Sequence, residues 1–150
     1  MASRGDILRL TSEKFAFLLE MGECELEISE PSTLLTVVAY KFTSIAVEIG
    51  FDWRDIDAAC YISKPSAGRL PGGYLLLDGK RVRFHLQGLA PEVLTRFTQL
   101  PRSPRLRREL DKWATRQSDR MIIAVGIYAD VLEANFAEIR SKAEAGFQAK

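Results

Sequence analysis

Three β-rich runs follow one another with very short separators, and this spacing is the feature that most limits how the chain can fold. The runs cover residues 34–40, 45–52 and 55–62, so four residues separate the first pair and two residues the second. Parallel neighbours need a crossover of about a dozen residues, whereas antiparallel neighbours need only a tight turn. The sequence therefore predicts an antiparallel meander.

Residues 23–29 are predicted to add a strand before this meander. Glutamates alternate there with Cys24, Leu26 and Ile28, which is the pattern of a strand with one buried face. The Pro31-Ser32 pair that follows is expected to end the strand.

A hairpin is predicted after the meander. Asp78-Gly79 favours a two-residue turn, here between strands at 74–77 and 80–86. Residues 63–73 are rich in proline, glycine and serine, which indicates a long surface loop and not a link between domains.

Helical patterns occupy both ends of the chain. Asp6 is expected to cap a helix over residues 7–21, and Gly22 follows as its stop signal. Near the other end, Pro91 begins a short helix to about residue 100, and Ser103-Pro104 begins a second to about residue 117.

The last helix follows Ser118-Asp119 and is the most apolar. Its apolar residues recur in steps of three and four, which predicts that it is central to the core. The residues of this stripe are Met121, Val125, Tyr128, Leu132, Phe136 and Ile139.

The predicted fold is a single α+β domain over residues 1–150. It has a mainly antiparallel sheet of about five or six strands, with the N-terminal helix and the C-terminal helices packed on one face. The alternating strands require such a covered face.

Acidic and basic side chains are segregated along the chain. Residues 1–60 carry 5 basic and 11 acidic side chains, residues 61–120 carry 13 and 5, and residues 121–150 carry 3 and 4, giving net charges of −6, +8 and −1. The opposed segments either neutralise each other across the fold or form separate faces for partners. The sequence leaves both arrangements open.

Composition excludes several classes of protein. No apolar run approaches the roughly 18 residues of a membrane span, and the start has no signal-peptide core, so we expect a cytoplasmic protein with no membrane partner. One histidine and two cysteines are too few for a multi-ligand zinc site or a disulfide framework. Cys24 and Cys60 lie on apolar strand faces, and we expect them to be reduced core residues.

The clearest candidate surface is a basic stripe on the predicted helix at 104–117. Guanidinium groups match the geometry of phosphate and carboxylate, so such a stripe would bind nucleic acid or an acidic protein. The alternative is a solvated helix face relieved by neighbouring acids. The residues that recur with helical spacing are Arg105, Arg108, Lys112, Arg116 and Arg120, and Arg102 is a further candidate that adds charge nearby.

A second set of candidates lies on the predicted strand at 80–86. Arg81, Arg83 and His85 share one face and would form an anion-binding ladder. Alternatively, they face the glutamates of residues 23–29 across the sheet, with each pair adding at most about 1 kcal/mol. Strand order decides between the two.

Asp52, Asp55 and Asp57 concentrate acid at one turn of the meander. Their spacing lacks the central glycine and terminal glutamate of a calcium loop, so we expect solvated turn residues. No metal site and no cofactor is expected.

The order of the segments resembles a large, diverse set of small bacterial proteins, uncharacterised or assigned as immunity-type proteins of toxin systems. The matching stretches are residues 15–22, 37–40, 45–49, 52–55 and 128–132. They are patterns of core and turn residues, so no functional residue carries over. The resemblance implies a partner protein.

No catalytic arrangement is spelled out in the sequence, so we expect a protein that is not an enzyme. The predicted function is that of a small cytoplasmic binding protein that recognises another macromolecule, such as a toxin or a regulatory partner protein. Opposed charged patches speed and orient such encounters. The alternative is a nucleic-acid-binding module that uses the Arg-rich 102–120 stretch. The oligomeric state is left open.

Overall fold

The predicted meander is present in the structure, a computed structural model that describes residues 3–73, 75–99 and 117–149. The strands of its sheet are β1 (Glu25–Ser32), β2 (Leu35–Lys41), β3 (Ala46–Asp52), β4 (Asp57–Ser63) and β7 (Arg83–His85). Between β4 and β7, the strands β5 (Leu76–Leu77) and β6 (Lys80–Arg81) form a separate short hairpin. Every pairing is antiparallel, and the order is β1-β2-β3-β4-β7. The fold is α+β, as predicted.

The helices cover one face of this sheet. They are α1 (Arg4–Lys14), α2 (Ala16–Glu20), α3 (Leu86–Leu89), α4 (Glu92–Gln99) and α5 (Gln117–Gln148). Helix α5 packs on β4, and α1 packs on α5. The predicted apolar stripe of α5 is buried in the core, and a non-helical Asn135 kinks the helix.

The first helix differs from its prediction at both ends. Ser3, and not Asp6, is the N-cap: its hydroxyl accepts from the Asp6 N–H while the Asp6 carboxylate accepts from the Ser3 N–H. This reciprocal capping box starts the helix three residues earlier. Phe15 interrupts the helix with a non-helical backbone (φ −99°, ψ 9°), and its fully buried ring stacks on Tyr40 at 5.9 Å.

Strand β1 is present, but its predicted half-buried face is wrong. All eight of its residues are exposed, with Leu26 and Ile28 at 38% and 54% exposure. The reason is its position at the edge of the sheet, since the buried strand residues lie on β2, β3 and β4. Pro31 does not end the strand either, because a bulge between Ser29 and Ser32 accommodates it.

The hairpin turn is confirmed, but the strand predicted at 80–86 is divided. Asp78 and Gly79 both have positive φ, as a type I′ turn requires. Residues 80–81 pair with β5, whereas residues 83–85 leave the hairpin and pair with β4. Leu86 already begins α3.

The helix predicted after Pro91 is confirmed as α4. The helix predicted from Ser103-Pro104 lies outside the described residues. In the part of the chain that the structure describes, no helix is long and apolar enough to cross a membrane.

Candidate functional site

The sheet face opposite the helices carries the polar groups that the fold brings together. Cross-strand register places Glu27, Ala39, Glu48, Tyr61 and His85 in one row across all five strands. The loop after β4 returns over this face, since the Lys41 ammonium donates to the Gly68 carbonyl at 3.2 Å. This loop therefore covers part of the face.

An ion pair joins two strands that are not neighbours. Arg83 on β7 reaches across β4 to Glu48 on β3, with 3.6 Å between Nε and Oε2. Its guanidinium lies over the Tyr61 ring, 3.6 Å from Cζ to the ring centroid. The Glu48 side chain is 3% exposed and that of Arg83 is 11% exposed.

The hydrogen bonds of this ion pair are incomplete. Among the described residues, Glu48 Oε2 and Arg83 Nε have no hydrogen-bond partner. Burial raises the pKa of Glu48, and the Ser63 hydroxyl and the Arg83 guanidinium offset only part of that increase. A buried carboxylate is costly unless it is both paired and hydrogen-bonded, and Arg83 supplies the paired charge without a hydrogen bond to Oε2.

A groove of about 430 Å³ runs beside the ion pair on the same face. Its lining residues come from four separate stretches of the chain: Pro31, Leu35, Val37, Glu48, Gly50, Asp52, Asp57, Ala59, Tyr61, Gly72, Gly73 and Arg83. The small residues Gly50 and Ala59 are cross-strand partners at the centre of this floor, which leaves open space above them. Asp52 and Asp57 pair at the end of the groove away from Glu48.

The outer edge of β1 is the second surface of interest. No described strand pairs with that edge, so its outward N–H and C=O groups are available to a partner. Glu25 and Glu27 lie on one face of β1, and exposed Leu26 and Ile28 lie on the other. Glu27 also contacts the Lys41 ammonium at 3.6 Å.

The three candidates predicted on one basic strand have separate environments. Arg81 is exposed on β6 beside the Phe84 ring, Arg83 is paired with Glu48, and the His85 ring is 4.8 Å from that of Tyr61. The predicted alternative of pairing with the glutamates of residues 23–29 is wrong, because β7 and β1 lie at opposite edges of the sheet.

Five of the six candidate residues of the basic stripe lie outside the described residues. Arg120 is exposed at the start of α5. The other candidates, which lie outside the described residues, are Arg102, Arg105, Arg108, Lys112 and Arg116.

Asp52 performs the role predicted for a turn residue. Its Oδ1 accepts from the N–H groups of Arg54 and Asp55 at 3.0 and 3.1 Å. Within the described ranges, no group of three or more acidic, histidine or cysteine residues could hold a metal ion. Cys60 is buried in the core as expected, whereas Cys24 is half-buried.

Glu48 and Tyr61 are the site residues that the sequence interpretation missed. A signal for Glu48 exists: it is the one charged residue in the apolar run from Ile45 to Phe51. A charged residue is almost never fully buried unless it is paired, so this position points to a partner elsewhere in the chain. Nothing local identifies that partner as Arg83.

No protein-family model, curated protein or solved structure matches this chain.

Proposed function

We propose that this protein binds a partner protein through the free edge of β1 and is not an enzyme. The observation that carries the proposal is an edge strand of eight exposed residues that presents Leu26 and Ile28 to solvent. In this mode the main-chain hydrogen bonds of an added strand supply affinity, and alternate side chains supply specificity.

The charges of β1 indicate which side chains a partner strand should carry. Glu25 and Glu27 share the face opposite Leu26 and Ile28. Like charges across strands are destabilising, and opposite charges contribute roughly 0.2–1 kcal/mol per pair. The best occupant is therefore an extended segment that alternates lysine or arginine with apolar residues, and a second acidic β1 strand is a poor one.

The segregation of charge supports the same function. Among the described residues, the pair of Glu48 and Arg83 is the one ion pair that joins the acidic segment 1–60 to the basic segment 61–120. Glu25 makes no ion pair with any described residue. Its charge can therefore steer a basic partner. The resemblance to immunity-type proteins makes a cytoplasmic toxin or regulatory protein the expected partner.

A pair of synthetic peptides tests the mode of binding. One alternates lysine with valine over about ten residues, and the matched control alternates glutamate with valine. Titration calorimetry at low salt should detect the lysine peptide and not the glutamate peptide. Replacing Leu26→Ser together with Ile28→Ser should weaken binding at least about tenfold.

Leu94→Ser is the matched control, because Leu94 is 54% exposed, as Ile28 is, but lies on α4. Equal losses in the control and in the β1 variant would contradict the proposal. Affinity capture from the native cell uses the same pair of variants. The natural partner is the protein lost with the β1 variant and retained with Leu94→Ser.

The nucleic-acid alternative depends on the Arg-rich 102–120 stretch and has its own test. Duplex DNA and RNA are titrated with the unmodified protein and with a triple charge reversal, Arg105→Glu, Arg108→Glu and Lys112→Glu. Phosphate contacts predict a log–log salt slope of about −0.9 per contact on duplex DNA, reduced by roughly two or three in the variant. No measurable affinity at low salt removes this alternative.

A further inference from the structure

The groove on the open sheet face has two chemically different ends. Glu48 and Arg83 lie at one end, and Asp52 and Asp57 at the other. Glu48 and Asp52 are four residues apart on β3, which is about 13 Å along an extended strand. Between them, a Cβ built on Gly50 would meet only Tyr61, at 3.9 Å, among the described residues, so the middle of the floor is open.

The Glu48 end requires a hydrogen-bond donor and an acceptor together. Glu48 and Arg83 both line the groove, and the buried acceptor Glu48 Oε2 is 3.6 Å from the buried donor Arg83 Nε–H. Neither has a hydrogen-bond partner among the described residues. The backbone N–H and C=O of one residue in an extended chain point to the same side and can satisfy an acceptor and a donor that lie next to each other.

The other end favours a cation. The groove is lined by three carboxylates and one guanidinium, which leaves two negative charges in excess. Neither Asp52 nor Asp57 forms an ion pair with any described residue. The side chains of lysine and arginine combine an apolar stem, which suits the floor at Gly50 and Ala59, with a cationic tip.

We propose that this groove binds a lysine or arginine residue in peptide linkage. Its own backbone N–H and C=O hydrogen-bond to Glu48 and Arg83, its aliphatic stem lies over Gly50 and Ala59, and its cationic tip lies between Asp52 and Asp57. The site is separate from the β1 edge and does not depend on the proposed function. Such a residue is either part of a short free peptide or part of a longer chain, and the two sources share the same recognition chemistry.

Amide NMR of the full chain tests the site with defined probes. The probe is N-acetyl-lysine methylamide, and its matched control is N-acetyl-norleucine methylamide, which lacks the charge. The lysine probe should give saturable shifts at Gly50, Gly72 and Gly73, which line the groove, and leave Gly5 and Gly126 unchanged. The norleucine probe should bind at least about tenfold more weakly.

A second arm distinguishes the sources. A peptide of about ten residues with one central lysine should shift the same groove glycines whichever source is correct. Binding at least about tenfold tighter than the single residue assigns the ligand to a longer chain, and equal affinity assigns it to a short peptide.

Two variants distinguish specific binding in the groove from nonspecific electrostatic attraction. Asp52→Asn with Asp57→Asn removes both charges but keeps amide oxygens that can accept the backbone hydrogen bonds, so the protein should fold and bind the lysine probe at least about tenfold more weakly. Asp55→Asn is the matched control, because Asp55 belongs to the same turn and does not line the groove.

Three results would overturn the proposal. They are equal weakening by Asp55→Asn, equal binding of the norleucine probe, and the absence of shifts at the groove glycines. If the lysine probe binds the groove as expected but no peptide or protein binds in a way that depends on Leu26 and Ile28, only the proposed function is overturned. The two failures are therefore distinguishable.

Discussion

Arg83 extends across strand β4 to reach Glu48 on β3, with its guanidinium stacked over Tyr61 on the strand between them. The Nε to Oε2 distance is 3.6 Å, and the distance from Cζ to the ring centroid is also 3.6 Å. One side chain therefore ties three strands of the open face together. The cost is a carboxylate that burial makes reluctant to ionise.

Removing Arg83 should destabilise the protein in a pH-dependent way. Arg83→Met leaves the buried Glu48 carboxylate without its counter-charge, which costs about 3 kcal/mol near neutral pH. The pKa of Glu48 is already raised by burial, and loss of Arg83 raises it further. The folded state then binds a proton more tightly than the unfolded state, so stability rises as the pH falls through that window.

Urea unfolding at about pH 7.5 and about pH 5 measures this effect, and the deficit should be smaller at the lower pH. Arg81→Met is the control, because Arg81 is exposed on β6 and should cost about 0.5 kcal/mol or less at either pH. A deficit that does not change with pH would show that Glu48 is not the group left unpaired.

The meander could be predicted from sequence because it depends on local information. Separators of a few residues permit only antiparallel neighbours, and Asp78-Gly79 selects one type of turn. Which strand lies at an edge is not local. Residues 23–29 have the alternation of a half-buried strand, yet β1 is exposed on both faces because of its place in the strand order.

The candidate site could be predicted less well than the fold. The sequence identifies Arg83 as a candidate cation, but its partner depends on strand order, which brings residue 83 to a glutamate 35 residues earlier in the chain. The groove likewise combines Pro31, the centre of the meander and the glycines at 72–73. Only the solitary charge of Glu48 among apolar neighbours indicates the site locally.

The two cysteines should differ in reactivity. Cys60 is 1% exposed and Cys24 is half-buried, and burial raises the pKa of both thiols. A thiol reagent such as Ellman's reagent should modify Cys24 in the native protein, faster as the pH rises, and Cys60 only after unfolding. Cys24→Ser should abolish the native reaction. Modification of both cysteines in the folded protein would contradict this burial.

The hydrogen bond between Trp53 and Thr36 should contribute measurably to stability. The indole N–H donates to the Thr36 hydroxyl at 2.8 Å, and both side chains are buried. Thr36→Val keeps the shape but leaves the indole N–H unsatisfied, at a cost of about 1–3 kcal/mol. Thr36→Ser keeps the hydroxyl and should recover part of the loss in chemical denaturation. Equal stability of the Ser and Val variants would show that the hydrogen bond contributes little.

Two glycines of helix α5 should respond oppositely to alanine. A Cβ at Gly146 would overlap the Phe84 ring, which packs on Phe147 at 5.4 Å, so Gly146→Ala should cost about 1–3 kcal/mol through overpacking. A Cβ at Gly126 meets no described atom within 4 Å beyond the adjoining helix backbone, so Gly126→Ala should stabilise the helix by about 0.5–1 kcal/mol. Thermal unfolding of both variants beside the parent measures the two signs. Phe84→Leu makes room at the clash and should reduce the penalty of Gly146→Ala in a double-mutant cycle. If Gly146→Ala stabilises the protein as Gly126→Ala does, the last turns of α5 do not pack against β7.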